Sequence, residues 1–157
     1  MKTMTRFATH VAFGFAGVSL ALASCAAPAP SYKPGQRLSQ EKAGQLGELP
    51  TYRSASATYR VLPQKGEGGA TLVLTEQGEV AASRHEVLVA DVPEARVQAA
   101  AAQGPRPASV QHYASTGITV LRYTDFAQTV QGLAALQAAL PGSVVRLPLE
   151  LEKKVPY

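Results

Sequence analysis

Glu86-Val87-Leu88-Val89-Ala90-Asp91-Val92-Pro93-Glu94-Ala95-Arg96-Val97-Gln98 changes its period in mid-stretch. Up to Ala90 it is apolar and rich in β-branched side chains, the composition of a strand. Asp91 then offers a helix cap, Pro93 falls in the first turn, and Glu94 stands at the capping-box distance from Asp91. Ala95 to Gln103 is rich in alanine, the best intrinsic helix former, and Gly104-Pro105 stops it. The same switch recurs downstream. Ala108 to Tyr113 and Gly117 to Tyr123 predict two strands, with Ser115-Thr116-Gly117 as the turn between them. Asp125 predicts a second N-cap, with Gln128 in the third helical position. Phe126, Val130, Leu133, Leu136 and Leu140 then recur at helical spacing and predict one apolar face. Gly132 inside that helix costs about 1 kcal/mol relative to Ala and suits a close contact between helix and sheet. Pro141-Gly142 ends the helix, Ser143 to Leu149 predicts the last strand, and Glu150 to Tyr157 a polar tail.

From Glu86 the order is β-α-β-β-α-β, so the expected fold class is α+β. The core is expected to be a ferredoxin-like βαββαβ antiparallel sheet with two helices on one face, the crossovers right-handed. Upstream, Thr58 to Leu62 alternates as a strand, Pro63 to Gly69 reads as a loop, and Ala70 to Thr75 as a second strand. Glu76-Gln77-Gly78-Glu79 is a tight connection to Val80–Ser83, which adds an N-terminal β-hairpin to the core. Two helices cover only one side of a sheet. Val87 and Val89 alternate with Leu88 and Ala90, and Val144 with Val145 and Leu147, so apolar groups fall on both sides. The second side needs a cover, supplied either by the Thr58–Ser83 strands or by a partner.

The N-terminus carries the second strong signal. Lys2 and Arg6 precede the short apolar run Val11 to Ala23, which is too short for the ~20 apolar residues of a spanning helix. It ends in Leu22-Ala23-Ser24-Cys25, and Cys25 is the single cysteine of the chain. This arrangement resembles a bacterial lipobox. The resemblance implies that residues 1–24 are a signal peptide, that Cys25 is lipidated and that it becomes the first residue of a protein anchored to a membrane. It implies a cell-envelope location, with the outer membrane favoured by Ala26 if the source is Gram-negative. Residues 25–57, with Ala26-Ala27-Pro28-Ala29-Pro30 and several Pro and Gly breakers, read as a polar tether. Arg37 to Leu46 is the part of it able to form a short helix. The expected organisation is therefore 1–24 signal, 25–57 tether and 58–157 folded domain.

Losing Lys2 and Arg6 from 15 basic residues, against 11 acidic, leaves a mature charge of +2. No basic cluster exceeds Lys153-Lys154, so nucleic acid is not an expected partner. With Cys25 lipidated no disulfide forms, and the core alone must hold the fold. Chemistry is sparse. His85-Glu86 lacks the second histidine of a zincin helix, and His112 stands alone. Gly66-Glu67-Gly68-Gly69 is followed by no Lys-Ser/Thr, and no serine sits in a Gly-x-Ser-x-Gly elbow. Asp91 and Asp125 are accounted for by capping. Arg122 and Arg146 lie in strands, where they either face solvent or a partner. No enzyme activity, cofactor or metal is expected.

The stretch Glu86-Val87-Leu88-Val89, the Pro93–Gln103 helix, Gly117 to Arg122 and Val130-Gln131-Gly132-Leu133-Ala134-Ala135-Leu136 into Leu140-Pro141-Gly142-Ser143-Val144-Val145 resembles the propeptide domains of subtilisin-like serine proteases. That family also occurs as free peptidase inhibitors. The similarity covers Glu86 to Tyr157, and residues 58–83 would be an added strand layer as in prodomains of the fervidolysin kind. The resemblance implies that the open sheet face packs on the protease and that the C-terminal segment lies in its cleft as an added strand. Val155, Pro156 and Tyr157 would then be the cleft residues, with Tyr157 in the pocket before the scissile bond. No catalytic domain follows Tyr157, so the resemblance implies an inhibitor or folding chaperone acting in trans, or the relic of a truncated protease. The alternative is an envelope lipoprotein that binds or scaffolds another protein without any protease.

Overall fold

The helix α3 (Phe126–Ala139) is the element around which the other layers are arranged. The computed structural model describes residues 31–55 and 57–151. Asp125 caps α3 as expected, its side chain accepting the Gln128 N–H at 2.8 Å. The apolar stripe of α3 does not face one surface, however. Leu133, Leu136 and Leu140 pack into one buried cluster, while Phe126 and Val130 pack into another. At about 100° per residue these side chains span an arc of about 120°, wide enough to touch a layer on either side.

On the first side lie β5 (Glu86–Ala90), β6 (Ser109–Tyr113), β7 (Ile118–Arg122) and β8 (Val144–Arg146), an antiparallel sheet in the order β6-β7-β5-β8. Val87, Val89, Leu121 and Val145 point to the helices and share a buried cluster with residues of α2 (Glu94–Ala101) and α3. Both helices therefore cover the same face. The connection into α2 differs from expectation. Pro93, not Asp91, is the N-cap, and no side chain caps the helix. Asp91 instead takes a left-handed conformation (φ 58°) and donates its N–H to the Gly117 carbonyl at 3.0 Å. Asp tolerates that backbone region better than most residues.

On the second side lies another antiparallel sheet, β1 (Thr51–Arg53), β2 (Thr58–Lys65), β3 (Thr71–Leu74) and β4 (Val80–Ser83), paired in sequence order. Its strands alternate between two faces. Tyr59, Val73 and Ala81 meet Phe126 and Val130 of α3. Leu62, Leu72, Leu74, Val80 and Ala82 meet Leu38 and Ala43, the latter on α1 (Gln40–Gln45). Burial on both faces explains why β3 is apolar without alternation and fully buried. The described residues thus form an α+β structure of two four-stranded antiparallel sheets and three α-helices.

Four further expectations are corrected here. The tether does not extend to residue 57, because Ser39 caps α1 through Lys42 N–H, Leu38 is buried, and β1 pairs with β2. The expected hairpin is a four-stranded sheet, and it packs on α3 and not over the second face of the other sheet. Pro63 lies inside β2, where the register shifts between Val61 and Lys65, an irregularity that tolerates a residue without an N–H. The last strand is also short. After Arg146 the chain leaves β8, places Leu147 and Leu149 against the cluster between sheet and α3, and pairs Glu150 with Ala82 of β4.

Candidate functional site

Among the described residues, no helix covers the face of the β6-β7-β5-β8 sheet turned away from α2 and α3, and much of it is apolar. Register places its side chains in three rungs. Val144, Ala90, Ile118 and Tyr113 form the first. Arg146, Leu88, Val120 and Gln111 form the second. Glu86, Arg122 and Ser109 form the third. Leu88, Ala90, Ile118 and Val120 are half-buried by their sheet neighbours and belong to none of the three buried clusters. Tyr113 and Val144, at the two edges, are 44% and 45% exposed, large values for such side chains. The third rung is ionic. The Arg122 guanidinium pairs with Glu86, its Nε donating at 3.1 Å, and this bond and charge raise the Arg122 pKa further. Both strand arginines of the sequence analysis, Arg122 and Arg146, lie on this face.

A polar crease lies beside the third rung, where the chain crosses from one sheet to the other through Arg84 and His85. His85 has a left-handed backbone (φ 63°) and its Nε2 meets Thr71 Oγ1 at 2.8 Å. Lys65 Nζ donates to the same hydroxyl at 3.2 Å. Burial and then the Lys65 charge hold the His85 pKa below its usual value, against a smaller opposing pull from Asp125. Arg84 Nε meets Glu150 at 2.8 Å. Two cavities open here. One, of about 740 Å³, lies between Ser31–Pro34, the loop after β2, Arg84 and Glu150. The other, of about 280 Å³, lies between Gly68-Gly69, Arg84, His85 and Arg122. The glycine-rich loop of the sequence analysis thus forms a short turn that borders both.

Ser83 is fully buried and its Oγ accepts the His85 backbone N–H at 3.2 Å. His112 Nδ1 meets the buried Thr119 Oγ1 at 2.9 Å. Among the described residues no group of three or more His, Cys, Asp and Glu is placed to hold a metal ion, and no helix is long and apolar enough to cross a membrane. Leu22, Ala23, Ser24 and Cys25, and Val155, Pro156 and Tyr157, lie outside the described residues. What the structure does define is the root of the C-terminal tail. Ala82 and Glu150 exchange backbone hydrogen bonds at 2.8 and 2.9 Å, so the chain through Glu150 is part of the fold.

No family model, curated protein or solved structure matches this chain. Its function is therefore argued from these surfaces. Sequence reasoning found the uncovered face but missed the crease, because Thr71, Lys65 and His85 are brought together by strand pairing. The nearest sequence signal was the polar Ser83-Arg84-His85-Glu86 break between two apolar runs.

Proposed function

We propose that this protein is a non-enzymatic, lipid-anchored inhibitor or folding chaperone of a subtilisin-like serine protease. Residues 1–24 are removed as a signal, Cys25 carries the lipid, and β5-α2-β6-β7-α3-β8 is a ferredoxin-like unit of the propeptide type. The strand order β6-β7-β5-β8 and the placement of both helices on one face support that assignment. The observation that carries the function is the uncovered sheet face with its apolar rungs, the surface that the resemblance assigns to the protease. Val155, Pro156 and Tyr157 follow shortly after the tail root at Glu150 and enter the cleft as an added strand. A tail that occupies the cleft excludes substrate, so inhibition is competitive. The test is a titration of subtilisin activity with the mature lipoprotein in detergent. Deleting Val155 to Tyr157 weakens inhibition about ten-fold or more, as expected for a buried aromatic anchor. Rapid digestion of the intact protein, or equal inhibition by both forms, removes the cleft mechanism.

One observation favours a second reading, an envelope scaffold that binds another protein through the same face. The Glu150–Ala82 pairing ties the tail root to β4, on the opposite side of α3 from the uncovered face. A scaffold has no need for a tail in a cleft. Absence of any inhibition in the same titration assigns the face to that role.

A further inference from the structure

The first described residues of the chain are pinned. Tyr32 N–H donates to Gln64 Oε1 at 2.7 Å, and Gln64 Nε2 donates back to the Tyr32 carbonyl at 3.3 Å. Gly35 N–H donates to the Val80 carbonyl and Val80 N–H to the Gln36 carbonyl, both at 2.8 Å, and Leu38 is buried beyond them. Residues 35–38 therefore run beside the start of β4, and Tyr32 is held at β2 through Gln64. Only Ala26-Ala27-Pro28-Ala29-Pro30 separates Cys25 from Ser31. That length reaches about 20 Å at full extension, against roughly 110 Å for a free chain up to Thr58. A lipid on Cys25 thus holds the surroundings of Ser31 close to the bilayer.

Those surroundings are the groove of about 740 Å³. Its exposed charges are Lys33, Lys65 and Arg84 against Glu67 and Glu150, and Arg84 continues it into the smaller cavity beside Arg122. Glu150, near the last described residue, lines the groove as well, so both ends of the described chain meet there. We infer that this groove is the membrane-facing surface of the protein and seats on the phosphate headgroups of anionic phospholipids. This rests on the lipidation of Cys25 proposed above. Basic side chains feel an anionic leaflet only within about a Debye length, some 8–10 Å, and a link of about 20 Å at most keeps this end of the molecule near enough to come within that range. The uncovered sheet face shares no residue with the groove and only Arg122 with the smaller cavity, so a bilayer seated on the groove leaves that face open to a partner.

Labels placed at two sites test this, because a lipidated Cys25 leaves an introduced cysteine as the only free thiol. Glu67→Cys lies in the groove and Gln111→Cys on the uncovered face. Each is labelled with a fluorophore in the full mature lipoprotein and reconstituted into vesicles rich in phosphatidylglycerol that carry a headgroup quencher. Quenching at position 67 is expected to exceed that at position 111 by about three-fold or more, and to fall toward parity in about 1 M salt, where the Debye length is about 3 Å. The Lys33→Glu, Lys65→Glu, Arg84→Glu triple variant is expected to lose the difference while still partitioning into the vesicles and unfolding in a cooperative transition, at a temperature lowered by loss of the Lys65–Thr71 and Arg84–Glu150 contacts. Equal quenching of the two labels in a partitioned protein overturns the inference alone. So does a difference that is the same in zwitterionic vesicles, because headgroup charge is then irrelevant. A protein that never partitions, or whose Cys25 reacts with the fluorophore, removes the anchor and the inference together.

Discussion

His85 joins the two sheets, and its surroundings set a pH dependence. Thr71 Oγ1 accepts from Lys65 Nζ and meets His85 Nε2, so a charged imidazole would stand close to the Lys65 ammonium. Burial and Lys65 lower the folded pKa below the unfolded value near 6.5. Above 6.5 the imidazole is neutral in both states and its contribution is fully present. As pH falls through 6.5 the unfolded chain takes the proton first, and stability declines until the folded pKa is passed. The stability difference between the protein and its His85→Asn variant, measured by urea unfolding, is therefore expected to shrink as pH falls below 6.5. Asn keeps the left-handed backbone acceptable. A difference independent of pH contradicts this. Gly132 makes an equally local prediction. A Cβ there would collide with Cζ and the hydroxyl of the buried Tyr123. Gly132→Ala gains about 1 kcal/mol of helix propensity yet is expected to lose about 1–3 kcal/mol to overpacking. Adding Tyr123→Leu should recover most of the loss, a coupling that a double-mutant cycle reads directly.

At the scale of elements, α1 and the segment before it carry weight that their composition conceals. Leu38 and Ala43 flank the Ser39 cap in staple positions and are both buried against β3 and β4. Leu38→Ala is expected to cost about 2–5 kcal/mol by thermal or urea unfolding, as for a core leucine and unlike a tether residue. Leu133→Asp is expected to unfold the chain, since it places an unpaired charge between α3 and the β6-β7-β5-β8 sheet. These elements also show what the sequence made legible. Strands β5 to β8 and helix α3 could be read because each repeats a period over several residues between clear breakers, and the Asp125 cap is a local event. The uncovered face followed from the alternation in β5 and in the Val144–Leu147 stretch. The packed N-terminal segment was hidden by its Pro, Gly and polar content, although Leu38, Ala43, Leu46 and Leu49 carried the signal of a buried side. The Asp91 cap failed because the Gly117 carbonyl, remote in sequence, competes for its backbone. The crease at His85 was illegible for the same reason, as strand register alone assembles it.

At the scale of the molecule, α3 is shared by both sheets, and this decides how the protein comes apart. Neither sheet is closed without it. The β6-β7-β5-β8 sheet loses Leu133, Leu136 and Leu140 from its buried face, and the β1-β2-β3-β4 sheet loses Phe126 and Val130. Tyr52 and Tyr59 also meet the Phe126 ring edge-on, with centroids 5.7 and 5.8 Å apart. Such pairs add to simple area burial. The Ala82–Glu150 pairing and the Arg84–Glu150 ion pair tie the C-terminal segment to the first sheet, closing the chain across both layers. Two sheets sharing one helix are expected to unfold in one transition, so amide hydrogen exchange should give the same opening free energy for Val73 in β3 and Leu121 in β7. Phe126→Ala removes the ring from one side only. It is expected to cost about 3–5 kcal/mol and to lower protection in β2 and β3 before β5 and β7, because the leucine contacts of α3 with the other sheet survive. Equal loss of protection in both sheets would instead mean that α3 leaves as a unit. Protection in β3 already lower in the unsubstituted chain would show that the first sheet is an independent layer.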